Sequence, residues 1–311
     1  MIVVCGEALI DMKPSPLSKK DGPLIYHARP GGSPLNVAIG LARLGRTVSL
    51  STQLFTDEFG RRLASGLRYE GVDTSLARRE MGATPLALIS TDAAGLPQYV
   101  FHGLRDLKVY PDQSLLEDSR AVAVHVGSVP IVCRASSRQL LSLVSSITGR
   151  LISFDPNVRL SFEPSADLWR RKIDEFRRNS HLIKVSADDI RAIYGSDTDP
   201  ERVAASWVEH RTVMVALTNG EKGAIIFTHQ GEKVPIPAAA SEVADTVGAG
   251  DSFMAALLCW LDERGLMNSE LAGSLSNQRV RSMGVFASLA AARTCSRHGA
   301  DLPYRSQLPD L

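Results

Sequence analysis

The residues with the clearest chemical potential lie between Asp245 and Phe253, in the order Asp-Thr-Val-Gly-Ala-Gly-Asp-Ser-Phe. Gly248 and Gly250 precede Asp251, and the apolar run that follows predicts a buried helix. Free N–H groups at the start of a helix attract an anion, and glycines let a phosphate approach that backbone closely. A carboxylate there would repel a bound phosphate, so we interpret Asp251 as a base that takes a proton from a hydroxyl attacking the phosphate. The alternative is a structural helix start whose glycines serve only close packing.

A second segment with chemical potential, Gly-Gly-Ser-Pro-x-Asn, begins at Gly31. Ser33 is predicted to cap a helix that has Pro34 at its first position. Gly32 would then act as a hinge that lets the backbone pass close to a small polar ligand. Asn36, in the first turn, offers a donor and an acceptor to a ligand hydroxyl. The alternative is a turn and a capped helix with no ligand.

Three further polar clusters follow predicted strands, which is where α/β folds bind ligands. Asp11 comes after the first strand, and Asp155 and Arg159 come after the strand predicted at 151–154. Arg159 has the planar guanidinium that holds phosphate oxygens well. The third cluster has glycines that would admit a nucleotide, and it contains Thr218, Gly220 and Gly223. Each cluster has an ordinary turn or hairpin connection as its alternative.

Composition and spacing exclude several other classes of protein. A formal net charge of +1 over 311 residues gives no electrostatic case for binding nucleic acid or an anionic membrane. No apolar stretch approaches the length of about 18 residues that a membrane span needs. The four cysteines are scattered, which indicates reduced thiols and predicts a cytoplasmic protein. None of the seven histidines has metal-site spacing, and the chain lacks the P-loop, dinucleotide-binding and nucleophile-elbow patterns.

Short apolar runs alternate with helix-like segments along most of the chain, which predicts an α/β fold with a parallel sheet and a late antiparallel pair at 224–228 and 233–236. Two extended pieces, 24–28 and 85–101, do not belong to this alternation. They are predicted to form a small sheet that covers the carboxyl ends of the main strands as a lid. The last ten residues are expected to be a loose tail.

Taken together, these segments resemble the ribokinase-like carbohydrate kinases of the phosphofructokinase-B type. The resemblance covers nearly the whole chain, and the segments come in the order of the family. The stretches 31–45 and 245–253 resemble the two family signatures, and 6–12 and 154–159 are most similar to the fructokinase branch.

The resemblance implies a three-layer α/β/α core with a mostly parallel sheet. A single ribokinase-like kinase domain would span 1–311, with a lid subdomain formed by about 12–32 and 84–110. ATP would be the phosphoryl donor and Mg²⁺ the required ion, K⁺ could bind as well, and many members form homodimers through their lids. Sugar and ATP are therefore the expected partners, with no nucleic acid and no membrane.

The resemblance also assigns roles to residues. Asp251 would be the general base, beside an anion hole formed by Gly248, Ala249 and Gly250. The residues that would contact the sugar are Asp11, Gly31, Gly32, Asn36 and Asp155. The residues that would line the ATP site are Arg159, Lys184, Ser186, Thr218, Gly220 and Gly223. Asp189 would meet the metal through water, and Asp245 would bind a monovalent cation.

The sequence departs from the family pattern in two places. Ser186 to Asp189 replaces a frequent Asn-x-x-Glu, and the lid strand has Tyr99 without an adjacent arginine, since Arg105 is displaced. The predicted function is an ATP-dependent sugar kinase that phosphorylates a primary hydroxyl, with fructose as the first candidate. One alternative is a kinase for 2-keto-3-deoxygluconate or another ketose derivative, and a further one is a non-catalytic sugar-binding protein on the same fold.

Overall fold

Short apolar segments form the central strands, because a parallel sheet covered on both faces has no exposed side. The computed structural model describes residues 1–15, 17–18, 22–91, 97–109 and 121–310. Its strands are β1 (Ile2–Cys5), β2 (Leu9–Pro14), β3 (Tyr26–Gly31), β4 (Val48–Ser51), β5 (Gln53–Phe55), β6 (Arg78–Glu80), β7 (Leu86–Thr91), β8 (Pro97–His102), β9 (Ala123–Gly127), β10 (Leu151–Asp155), β11 (Leu182–Ser186), β12 (Met214–Thr218), β13 (Ala224–Thr228) and β14 (Lys233–Ile236).

The helices mostly bury one apolar face each, although one of them is buried at every residue from Asp251 to Leu261. They are α1 (Ser33–Arg43), α2 (Glu58–Tyr69), α3 (Arg134–Ser146), α4 (Ala166–Arg177), α5 (Ala187–Tyr194), α6 (Pro200–Ser206), α7 (Ala249–Glu263), α8 (Ser269–Gly273) and α9 (Asn277–Cys295). Short 3₁₀ turns occur at Val129–Ile131, Gly220–Lys222 and Arg305–Gln307. Within the described ranges, every helix is too short or too polar to cross a lipid bilayer.

The main sheet has eight described strands in the order β14-β13-β12-β11-β10-β9-β1-β4. All neighbours are parallel except β12–β13 and β13–β14, which are antiparallel. Alternate residues of β1 enter two different cores, Ile2 and Val4 on one face and Val3 and Cys5 on the other. The predicted three-layer α/β/α fold with a mostly parallel sheet is therefore confirmed. The carboxyl ends of six parallel strands meet along one edge, where α/β folds bind ligands.

A second sheet has four strands in the order β3-β2-β7-β8. The expected small sheet is therefore present, but it contains one strand that sequence patterning missed. Leu9–Pro14 is a central strand of this sheet, so Asp11 lies on a strand and not in a loop after β1. The polar second half of that segment hid it, because its outer residues face solvent. Parts of the predicted lid, at 16, 19–21, 92–96 and 110, lie outside the described residues.

The expectation of a loose carboxyl-terminal tail is wrong. Leu302 and Leu308 are buried, and the Arg305 side chain donates a hydrogen bond to Glu263 at 2.9 Å. A Cβ on Gly40 would lie only 2.5 Å from a methyl carbon of Leu302. The Leu302 side chain therefore packs against α1 at the position of this glycine. Isolated apolar residues in a polar segment do not reveal this packing in the sequence, because their partners are distant in the chain.

Candidate active site

The start of α7 has the features expected of an anion site. Gly248, just before the helix, has φ = 81°, a left-handed conformation that favours glycine. Of the first amides, the N–H of Ala249 donates to the carbonyl of Thr246 at 3.2 Å. The N–H groups of Gly248, Gly250 and Asp251 have no acceptor in the part of the chain that the structure describes. Three backbone donors are thus available to an anion here.

Asp251 lies in the first turn of α7, and two side chains of α1 hold its carboxylate. The hydroxyl of Ser33 donates to Oδ1 at 2.6 Å, and the Asn36 amide donates to Oδ2 at 2.8 Å. Burial raises the pKa of Asp251, while these two hydrogen bonds and the charge of Lys184 oppose the rise. The carboxylate is therefore oriented by α1 and shielded from bulk water.

The prediction that Ser33 caps α1 is wrong. Gly32 is the capping residue, Ser33 is already helical, and no side-chain cap bond forms. The Ser33 hydroxyl instead donates to the charged Asp251 carboxylate, while Gly32 with its positive φ takes the capping position. Ser33 is thus a site residue that the sequence reasoning missed, because its partner lies 218 positions away.

A buried ion pair lies beside the start of α7. The Lys184 ammonium on β11 contacts the Asp155 carboxylate on β10 at 2.8 Å, and both side chains are buried. Burial works against the charge of Lys184, but Asp155, Asp189 and Asp251 outweigh it and raise its pKa. A Cβ on Gly250 would lie 2.7 Å from the ammonium nitrogen. Lys184 therefore adds a fixed positive charge next to the free amides.

The predicted sugar side combines the small sheet with the turn before α1. A Cβ at Gly31 would collide with the Asp11 carboxylate, and Gly32 has φ = 108° with a Cβ position only 2.8 Å from the Glu7 carbonyl oxygen. Gly32 therefore requires glycine, whereas a side chain at Gly31 would displace the Asp11 carboxylate. Glu7 is buried, and one of its oxygens accepts a hydrogen bond from Ser128 at 2.7 Å, while the other has no hydrogen-bond partner among the described residues. Burial raises the pKa of Asp11 to about 6 and that of Glu7 to about 7.

Asp155, predicted to contact the sugar, uses one oxygen for Lys184 and accepts the Asn157 N–H at 3.2 Å with the other. On β8 of the small sheet, Tyr99 is half-buried, and burial raises its pKa. Arg105 points elsewhere, since it donates to the carbonyl of Phe162 at 2.8 Å. Arg105 therefore does not supply the arginine that the family pattern places beside this tyrosine.

Asp189, the predicted contact to the metal through water, accepts one backbone N–H on each carboxylate oxygen. Its oxygens accept the N–H of Val158 at 3.0 Å and that of Ser186 at 3.4 Å, and the Ser186 hydroxyl in turn accepts the Asp189 N–H. This reciprocal pair is a capping box that starts α5. In the described residues, no group of three or more His, Cys, Asp and Glu is arranged to hold a metal ion. The side chains in the described ranges therefore do not by themselves hold a metal ion.

The predicted nucleotide residues lie at the ends of neighbouring strands. Thr218 ends β12, and the turn that follows has Gly220 and Gly223 with φ of 52° and 83°. Arg159 follows β10 and donates to the carbonyl of Val158 at 2.9 Å. The Thr218 hydroxyl lies 3.5 Å from the carbonyl of Val185. Thr218 and Arg159 therefore follow the carboxyl ends of two strands of the main sheet.

Asp245 begins the segment that leads into α7, and its carboxylate is also engaged. It accepts the N–H of Val247 and that of Gly299, each at 3.1 Å, and it contacts the Lys13 ammonium at 3.4 Å. Burial would raise the pKa of Asp245, but these three donors together hold it below its ordinary value. Asp245, the residue at which the resemblance expects a monovalent ion, thus has an ammonium group of the chain 3.4 Å from its carboxylate.

The sequence matches the pfkB family of carbohydrate kinases over residues 1–307. The chain belongs to this family. A probable fructokinase-4 of Arabidopsis thaliana is 33% identical to it, over 100% of this chain and 96% of that protein. Fructokinase-2 of Solanum lycopersicum is 32% identical, over 96% of this chain and 92% of that protein. This pfkB-family member is therefore a sugar kinase, a phosphotransferase.

Solved structures agree with the fold of a pfkB kinase. A fructokinase from Xylella fastidiosa with bound ATP superposes with a TM-score of 0.84 at 23% identity, covering 99% of this chain and 94% of that one. An uncharacterized sugar kinase from Pyrococcus horikoshii superposes with a TM-score of 0.79 at 27% identity, covering 98% of this chain and 95% of that one. The similarity therefore extends over the whole chain and includes the second sheet.

Proposed function

We propose that this protein is an ATP-dependent fructokinase that uses Asp251 as its general base. The observation that carries the proposal is the buried Asp251 carboxylate at a helix start with free amides, next to the Lys184 ammonium. The choice of fructose is supported by the relatives named fructokinase, which align along nearly all of the chain. A kinase for 2-keto-3-deoxygluconate or another ketose derivative is the second candidate, and no observation favours it.

In the proposed reaction, a primary hydroxyl of the sugar attacks the γ-phosphorus of ATP. The new bond joins the sugar oxygen to phosphorus, the bond between the β–γ bridging oxygen and the γ-phosphorus breaks, and ADP leaves with that oxygen. Asp251 accepts the hydroxyl proton. The free N–H groups of Gly248 and Gly250 and the Lys184 ammonium stabilise the negative charge on the transferring group.

The contacts of Asp251 are compatible with this role. Each carboxylate oxygen has two acceptor positions, so the bonds from Ser33 and Asn36 leave a position free on each oxygen. Those two donors favour the ionised carboxylate, which a base needs, and they fix its direction. Since the sugar and ATP must be held in line, this positioning supplies much of the rate.

The sugar side is proposed to consist of Asp11 on the small sheet and the Gly31–Gly32 turn, with Asn36 at its edge. The ATP side is proposed to consist of Arg159, Lys184, Ser186, Thr218, Gly220 and Gly223. We propose that Mg²⁺ arrives with the ATP phosphates, where it neutralises their charge, since no described cluster of side chains holds it. Asp189 then has at most a contact through water.

The small sheet is proposed to act as the lid, and copies of the chain are proposed to pair through it. A lid would exclude water from the phosphoryl group, so ATP hydrolysis without sugar is expected to be negligible. The four cysteines are free, which is consistent with a cytoplasmic enzyme. The family resemblance and the small sheet β3-β2-β7-β8 support the proposed lid and the proposed pairing through it.

The test is a screen of ADP release over ketohexoses, pentoses, keto-deoxy sugar acids and nucleosides. Fructose is expected to give the highest kcat/KM. A higher kcat/KM for a keto-deoxy acid would replace the proposed substrate and keep the chemistry. Calorimetric binding of fructose without ADP release in the presence of ATP would favour the non-catalytic alternative.

A further inference from the structure

We propose that Lys13 is a built-in cation that holds the Asp245 loop in place, so that this kinase does not depend on an added monovalent cation. Lys13 is a positioning residue in this proposal, and Arg29 supports it from the neighbouring strand. The effect on turnover rests on the proposed function, whereas the effect on stability and nucleotide binding does not.

The first observation concerns the contacts of Asp245. Its carboxylate meets three donors of the chain, namely the N–H of Val247, the N–H of Gly299 and the Lys13 ammonium. The Asp245 side chain is only 13% exposed, whereas that of Lys13 is 61% exposed. Asp245 lies six positions before Asp251, so whatever fixes its carboxylate also fixes the chain that enters α7. A metal cation at this carboxylate would meet the positive charge of Lys13.

The second observation concerns the backbone oxygens around Asp245. The carbonyl of Cys295, at the end of α9, accepts the N–H of Ala244 at 2.8 Å and that of Asp245 at 3.2 Å. A helix end with exposed carbonyls attracts cations, but here two amides already use this carbonyl. The carboxylate and this carbonyl are therefore both satisfied by groups of the chain.

The third observation is a second cation from the same sheet. The Arg29 guanidinium donates to the carbonyl of His298 at 3.0 Å. A Cβ on Gly299 would lie 2.5 Å from a nitrogen of that guanidinium. Gly299 is also the residue whose N–H binds Asp245, so both cations act on one turn.

These two cations connect both halves of the proposed site. Lys13 is on β2 and Arg29 on β3, and Asp11 and Arg29 are partners in the register of these strands. The sheet that presents Asp11 to the sugar side therefore also holds the loop that presents the free amides of α7. Removing the Lys13 charge is expected to loosen that loop and to create a vacancy that a small monovalent cation can fill.

The experiment compares wild type, Lys13→Ala, Lys13→Arg and the control Lys233→Ala at matched ionic strength in KCl and in tetramethylammonium chloride. Lys233 is a suitable control because it forms a surface pair with Glu201 and is 54% exposed. Three readouts are measured, namely kcat/KM for ATP, the affinity for a non-hydrolysable ATP analogue, and the melting temperature.

Wild type, Lys13→Arg and Lys233→Ala are expected to behave alike in the two salts. Lys13→Ala is expected to lose about fivefold or more in analogue affinity and in kcat/KM in tetramethylammonium chloride, with recovery in KCl. A lower melting temperature restored by KCl should accompany this loss.

Two results would overturn the proposal. One is a wild type whose analogue affinity and melting temperature fall when KCl is replaced. The other is a Lys13→Ala variant that matches Lys233→Ala in both salts. If no sugar is phosphorylated, the proposed function fails, but binding and melting still decide the role of Lys13.

Discussion

Replacing Asp251 by Asn removes the proposed base while keeping the size of the side chain. An amide oxygen can still accept the Ser33 hydroxyl, but the amide NH₂ faces the NH₂ of Asn36, so one of the two bonds at 2.6 and 2.8 Å is lost. A hydrogen bond to a charged group is worth about 1.5–3 kcal/mol. The variant no longer buries a charge, so the two effects oppose each other and the net change in stability is expected to be small.

The effect on turnover is expected to be large. Loss of a general base typically lowers the rate by about 10²–10⁴, which corresponds to roughly 2.7–5.4 kcal/mol in the barrier. The free amides of α7 and Lys184 remain, and a negative charge near the phosphates is removed. ATP affinity is therefore expected to stay the same or to rise. A coupled ADP assay gives kcat, and calorimetry gives the dissociation constant of ATP.

The matched control is Asp188→Asn, because that carboxylate is on α5 with its side chain 96% exposed. It is expected to leave both constants unchanged. A role of Asp251 as general base is contradicted if Asp251→Asn keeps more than about a tenth of wild-type kcat. It also fails if turnover and ATP binding are lost together, since that points to a structural role.

Three further predictions use the neighbours of this carboxylate. Gly250→Ala places a Cβ 2.7 Å from the Lys184 nitrogen and should lower kcat/KM for ATP about tenfold or more. Gly66→Ala in α2 is the matched control, because a Cβ there would have no neighbouring atom within 4 Å. It should keep full activity in the same assay and gain up to about 1 kcal/mol of stability. Lys184→Met leaves Asp155 buried without its partner and should cost about 3–5 kcal/mol in urea unfolding, whereas adding Asp155→Leu should recover much of that loss. Burial raises the pKa of Glu7 from 4.5 to about 7, so its contribution to stability is complete below about pH 4.5 and is lost as the pH rises through about 7. Glu7→Gln should remove this loss, which amounts to about 3 kcal/mol. The measurement is the unfolding free energy at about pH 4.5 and at about pH 8, and the difference between the two should be smaller in the variant than in the wild type. An unchanged pH dependence would contradict the prediction.

The sequence alone was sufficient for those parts of the fold that depend on local patterns. The antiparallel strands Ala224–Thr228 and Lys233–Ile236 have the predicted boundaries, because alternation and a short connection specify a hairpin. A helix start close to Gly248 and Gly250 was also predictable, although α7 begins at Ala249, before the predicted apolar run. Such features need only neighbours in the chain.

Features that join distant segments could not be predicted from residue patterns. The bond from Ser33 to Asp251 spans 218 positions, and Ser33 also satisfies the local rule for a cap. The contact between Lys13 and Asp245 spans 232 positions and joins the small sheet to the core. Leu9–Pro14 was missed as a strand because its partners are β3 and β7 and its outer half is polar. In each case tertiary contacts decide a choice that local propensity leaves open.

The most direct test of the account is a crystal structure of the wild type with fructose and a non-hydrolysable ATP analogue. The account predicts that a primary hydroxyl of fructose lies within about 2.6–3.2 Å of an Asp251 carboxylate oxygen and points towards the γ-phosphate. It also predicts that the terminal phosphate accepts hydrogen bonds from the N–H groups of Gly248 and Gly250. A sugar hydroxyl held by another base, or a phosphate bound away from the start of α7, would contradict it.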